Sequence, residues 1–130
     1  MNVEHAIITK QTWRSPVMDA YARALITSGR TLLLFKRVPY FNNDDVPAAF
    51  QPNDGTTVGA TFKQLQLAGI IEPWRGSVPE LQIWGGMRKS TRPENNGHRN
   101  QLWALTSIAA ADTWLSRHGA TQPDQQMRLF

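Results

Sequence analysis

Residues 52–71 read PNDGTTVGATFKQLQLAGII, and the architecture turns on how they fold. Pro52, Asn53, Asp54 and Gly55 form dense turn punctuation. Thr56 or Thr57 then offers a hydroxyl to cap a helix. Val58, Phe62 and Leu65 recur at i, i+4 and i+7, which places them on one apolar stripe. Gly69 is a natural stop. The spacing predicts a helix over 57–68 that exits into extended chain at Ile70 and Ile71.

Upstream, Ser15-Pro16 predicts a helix start, with a hydroxyl cap followed by proline at the first helical position. Val17, Met18, Tyr21, Ala22, Leu25 and Ile26 fall on one face, and Gly29 marks the expected end. The run RTLLLFKRV, residues 30–38, is apolar with cations at its ends; periodicity leaves it open as a buried strand or a helix extension. Pro39 ends it. Asn42, Asn43, Asp44 and Asp45 supply caps for a short second helix over 46–50, begun at Asp44 or Asp45 so that Pro47 lies in its first turn.

Downstream, extended chain from Ile70 is interrupted by Pro73 and by a turn at 76–79. Alternation predicts a strand over 81–84 with 102–106 as its partner. Between them lies GGMRKSTRPENNGHRNQ, residues 85–101, the expected long tip of a hairpin. Ser107 caps a last helix over 108–118, with Ile108, Ala111 and Leu115 on one face and Gly119 closing it. Residues 1–14 are expected to form an N-terminal arm and residues 120–130 a loose polar tail, leaving one domain over 15–119.

Two helices joined by a compact turn and followed at once by a hairpin make an α+β, winged helix-turn-helix layout. Residues 52–71 resemble the turn, recognition helix and hydrophobic exit of such domains, and in particular those of small phage-encoded winged-helix proteins found near replication genes. The resemblance rests on Pro52-Asn53, Gly59-Ala60, Ala68-Gly69-Ile70-Ile71 and Gln101-Leu102-Trp103, and extends over about residues 15–106. It implies a winged helix with a long wing and an additional C-terminal helix, in a replication or transcription accessory role.

A chain of 130 residues without cysteine excludes disulfide scaffolds and thiolate metal sites. The first residues lack the cationic start and long apolar run of a signal peptide, and no window approaches the roughly 18 apolar residues of a membrane span. A cytoplasmic location and no membrane partner are expected. Net charge is +4 and the pI is near 10, a balance that favours polyanions. Four cations against one acid place +3 within residues 85–101.

These features predict a non-enzymatic DNA-binding protein acting on duplex DNA. On helix 57–68 the side turned away from the core carries Thr56, Thr57, Ala60, Lys63, Gln64 and Leu67. Thr57, Lys63 and Gln64 would lie over the major groove. Arg88, Lys89, Arg92 and Arg99 on the wing would meet phosphates or enter the minor groove, and four phosphate contacts would give a salt slope of about −3.6. The competing class is a protein-interaction module on the same scaffold, gripping a host or phage protein through Ala60, Leu67, Trp74 and Trp84, as an inhibitor of a nucleic-acid machine would. Trp103 and Trp114 read as core. Helix 108–118 could build a homodimer, although nothing requires one.

His98 lacks what catalysis needs, since the nearest acid is Glu94 and the other histidines, His5 and His118, lie near the two ends. No phosphate-cradling glycine loop, nucleophile elbow or zinc-ligand spacing occurs. No catalytic residue, metal or cofactor is therefore expected.

Overall fold

The computed structural model describes residues 16–90 and 98–119. Three helices and a four-stranded antiparallel sheet make an α+β fold: α1 (Pro16–Lys36), α2 (Gly55–Leu67), β1 (Ile71–Trp74), β2 (Ile83–Trp84), β3 (Met87–Lys89), β4 (Arg99–Leu105) and α3 (Ile108–Gly119). The strand order is β1-β4-β3-β2. Short 3-10 turns occupy Asn43–Asp45, Ala48–Phe50 and Pro79–Leu81. This layout is compatible with a winged-helix arrangement. The expected arm over 1–14, the capping Ser15 and the tail over 120–130 lie outside the described residues.

Helix α1 runs through Gly29 to Lys36, which settles residues 30–36 as helix and overturns Gly29 as a stop. Gly29 is buried, and a Cβ there would stand 2.7 Å from the Phe41 ring. Its smallness lets Phe41 pack directly on the helix. The helix stops instead where Arg37 takes a left-handed conformation (φ 57°) and Pro39 follows.

The expected helix over 46–50 is not formed. Val46 is extended (φ −93°, ψ 132°), and two separate 3-10 turns flank it and Pro47. Proline disfavours the helical conformation of the residue before it and carries no N–H to continue a ladder. Asn42 caps the first turn reciprocally with Asp45.

Helix α2 begins two residues earlier than a threonine cap would place it. Asp54 is the cap and accepts from the Thr57 backbone N–H at 2.6 Å. Phe62 and Leu65 of the apolar stripe are buried, along with Thr61, whose hydroxyl donates to the Thr57 carbonyl at 2.7 Å. Gly69 (φ 79°) turns the chain into β1. Pro73 sits within β1 rather than interrupting it, because β1 is an edge strand.

The strand pairing differs from expectation. Residues 102–105 pair with β1, in the register Ile71↔Leu105 to Trp74↔Leu102, while β2 pairs with β3 through Ile83↔Arg88 and Trp84↔Met87. Gly85-Gly86 is thus a two-residue hairpin turn, and within residues 85–101 Met87–Lys89 pairs with Arg99–Gln101. Beyond that pairing the Ser90 N–H donates to the His98 carbonyl at 2.8 Å. A single bridge joins Phe41 to Trp103 of β4, whose N–H and C=O point away from the edge that pairs with β3.

Two apolar clusters hold these layers. The larger joins Tyr21, Leu25 and Ile26 of α1 with Phe41, Val46, Phe62, Leu65, Ile71 and Trp114. The smaller, Tyr40, Ile83 and Leu102, lies under the β2 side of the sheet. Helix α3 starts as expected, with the Ser107 hydroxyl accepting from the Ala110 N–H at 3.0 Å. The Arg30–Asp112 ion pair at 2.7 Å also ties α3 to α1, but in its exposed setting it contributes about 0–1 kcal/mol. Among the described residues no helix is long and apolar enough to cross a membrane.

Candidate functional site

The first turns of α2 face the beginning of β4 across a cleft, so the helix and the β3–β4 hairpin border one surface. Within that hairpin the register sets Lys89 directly opposite Arg99. Both side chains are exposed, and neither has an acidic partner among the described residues. Like charges directly across a strand pair repel, so the root of the hairpin is a site that an anion would relieve. Lys63 is exposed on α2. Arg92 lies outside the described residues.

Arg88 is built into the protein. Its Nη2 donates to Asp45 Oδ2 at 2.8 Å and to Asn42 Oδ1 at 2.7 Å. The side chains of Arg88 and Asp45 are only 20% and 22% exposed. Asp45 also accepts from the Asn42 backbone N–H at 2.9 Å, and the Ser90 hydroxyl donates to Asp44 at 3.3 Å. This group of side chains clamps β3 to the turn that precedes α2. It also sets the position of Lys89 and Ser90.

No family model, curated protein or solved structure matches the chain. The reading of the site therefore rests on its geometry.

On α2, the Thr57 hydroxyl is engaged with Asp54 Oδ2 at 3.1 Å, while Ala60 and Gln64 are half-buried and Leu67 is 71% exposed. Gln64 and Leu67 border a second cleft of about 630 Å³ shared with Trp114, Arg117 and His118 of α3. The two ends of α2 thus meet different surroundings, the hairpin at its start and α3 at its end. Trp84 is 52% exposed on the edge strand β2. Trp74, expected to be exposed, is half-buried because its ring packs on Tyr40 with centroids 4.6 Å apart. Trp114 is buried, and half-buried Trp103 stacks on Phe62 at 5.4 Å.

His98 is exposed, and among the described residues no group of three or more His, Cys, Asp or Glu side chains could hold a metal ion. Asn42 and Asp45 were picked out by pattern only as helix caps, and Asn100 not at all. The run Asn42-Asn43-Asp44-Asp45 carries a local capping signal. Its pairing with Arg88, more than 40 positions away, leaves no trace in spacing.

The Asp54 carboxyl is held below the usual carboxylate range, first by the Thr57 backbone N–H and then by the Thr57 hydroxyl. A depressed carboxyl stabilises the folded state above its unfolded value, near 3.8, and that contribution is lost as pH falls through the folded value. Asparagine caps a helix comparably but carries no charge. Denaturant midpoints of wild type and Asp54→Asn should therefore differ in favour of wild type at pH 7, with the difference shrinking on acidification below the carboxylate range. A difference that stays constant with pH would contradict this role for the charge.

Proposed function

We propose that this protein is a non-enzymatic DNA-binding protein on a winged-helix scaffold, engaging duplex DNA through the β3–β4 hairpin with α2 alongside. The observation that carries the reading is the directly opposed pair Lys89 and Arg99, exposed and without an acidic partner among the described residues. Two cations held face to face carry a repulsion that phosphate contact offsets. Element order supports the scaffold: α1, the Phe41 bridge, a turn, α2, then β1 and β4. Lys63 extends the basic surface onto α2, Gln64 lies toward its far end, and Thr57 supports the helix cap. Arg92 belongs to the same hairpin in sequence. Arg88 holds the hairpin rather than touching DNA. The resemblance of residues 52–71 to phage-encoded winged helices makes replication or transcription accessory work in the cytoplasm the proposed setting.

The test is a titration of labelled duplex at several salt concentrations. Replacing both Lys89 and Arg99 with alanine should weaken binding and make the salt slope shallower by about 1.8, since each phosphate contact contributes roughly 0.9. The unfolding midpoint should hold or rise, because the replaced pair is mutually repulsive. Absence of binding by the wild-type protein at low salt would overturn the DNA reading. A second reading, a protein-interaction module, is favoured by the exposure of Leu67 beside the α2–α3 cleft. Loss of binding to a captured host or phage protein on Leu67→Asp, with DNA binding absent, would establish it instead.

A further inference from the structure

Helix α1 buries one side through Met18, Tyr21, Ala22, Leu25, Ile26 and Gly29. Its opposite side carries a second pattern. Val17, Ala20, Ala24, Thr27, Thr31 and Leu34 follow at alternating intervals of three and four, the spacing of a coiled-coil seam. At about 100° per residue the six lie away from the core, and all are exposed or half-buried. None is charged. Asp19, Arg23 and Arg30 gather on one flank of this seam, and Phe35, 77% exposed, lies on the other. Beside Val17 and Ala20 stands Phe50, 53% exposed, and with Pro16 and Ala49 these residues line an open cleft of about 300 Å³.

The seam is symmetric about the point between Leu25 and Ile26. Val17 mirrors Leu34, Ala20 mirrors Thr31, and Ala24 mirrors Thr27. Two copies set antiparallel about a two-fold axis at that point meet residue for residue, the self-complementarity that an isologous interface requires. Small residues fill the middle, so the backbones can approach, and larger ones close both ends. The same symmetry sets Phe35 of one copy opposite Pro16 of the other, at the cleft beside Phe50. A parallel pair would set Phe35 against Phe35 and leave that cleft unfilled. The antiparallel order also brings each helix N-terminus beside the partner's C-terminus, opposite ends of the two dipoles. Val17 is 57% and Leu34 44% exposed. Covering them with Phe35, Phe50 and the small strip on both copies would bury on the order of 1,200 Å², the lower end of the range for stable interfaces. We infer that the outer face of α1 docks a second copy of this chain, α1 against α1 and antiparallel. This face is distinct from helix 108–118, and the inference stands apart from the DNA reading.

Sedimentation equilibrium over a range of protein concentrations should show a monomer–dimer equilibrium with a dissociation constant in the micromolar range. Thr27 is exposed and lies near the axis, where the two copies bring the same position close together. Thr27→Glu and Thr27→Lys should each weaken self-association by at least about tenfold, through like charges set side by side. The urea midpoint of the dilute protein should stay nearly unchanged in both. An equal mixture of the two variants should recover the dimer, because the charges are then opposite. The chain has no cysteine of its own, so cross-linking can read the orientation. On oxidation, Val17→Cys and Leu34→Cys should form a disulfide-linked dimer when mixed, and neither should do so alone, since like positions lie about 26 Å apart along the helices. A monomer at every concentration overturns the inference. A dimer that survives Thr27→Glu overturns the choice of face, and a disulfide formed by Val17→Cys alone overturns the antiparallel order.

Discussion

Gly86→Ala is expected to cost about 4 kcal/mol, a large share of the stability of a domain of this size. Gly86 has φ 80°, and a Cβ built there would stand 1.9 Å from the Trp74 carbonyl oxygen and 2.9 Å from the Arg75 Cα. Both obstacles are backbone, so no side-chain rotation can relieve them. The residue is also held on two sides, by its N–H to the Gly76 carbonyl and by the Leu102 N–H to its own carbonyl, each at 2.7 Å. Moving it away therefore breaks the seam between the 74–76 segment, the β2–β3 turn and β4. Its neighbour supplies the control. Gly85 also has positive φ (57°), but a Cβ there meets nothing within 4 Å. Gly85→Ala should cost only the left-handed penalty of about 1–2 kcal/mol. Urea denaturation of the two variants measures the gap, and equal losses would show that close backbone approach is not what Gly86 provides.

The second large effect is expected at Arg88. Arg88→Met leaves Asp45 and the Asn42 carbonyl oxygen mostly enclosed and without their shared donor. Removing one partner of an enclosed ion pair costs more than the pair itself contributes. With about a fifth of each side chain still exposed, a loss of about 2–3 kcal/mol is expected rather than the full buried-pair value. The DNA salt slope of the folded fraction should stay as in wild type, because Arg88 Nη2 is committed to Asp45 and Asn42. If instead stability is retained while the salt slope becomes shallower by about 0.9, Arg88 is a phosphate contact and the clamp is dispensable. The two variants thus separate what builds the hairpin from what the hairpin meets.

The helices were the most legible part of the chain. The Val58, Phe62, Leu65 stripe and the Ser107 cap are local signals, because helix hydrogen bonds and side-chain neighbours lie within four residues. Asp54 took the cap from Thr56 and Thr57, two to three residues earlier, because its carboxylate accepts from the Thr57 N–H. Gly29 shows the limit of local reading. The same residue type that ends a helix also permits close approach, and which role applies depended on Phe41, twelve positions later. The alternation over 81–84 marked extended chain but carried no partner. Gly85-Gly86 between apolar residues is itself a two-residue hairpin signal, and that signal names the neighbour that β2 found in β3.

At the candidate site, the four hairpin cations were equally visible in the sequence. The register then treated them differently. Lys89 and Arg99 came to face one another in the open, while Arg88 turned to Asp45. By itself the sequence determined the α+β class, the positions of α2 and α3, and the gathering of positive charge between Gly85 and Gln101. These follow from composition and from periodicities of a few residues. Tertiary structure alone decided the continuity of α1 through Gly29, the pairing of β1 with β4, and the engagement of Arg88 by Asp45 and Asn42. Those outcomes depend on groups 12 to 46 residues apart in the chain meeting in space, and short-range pattern carries no record of such meetings.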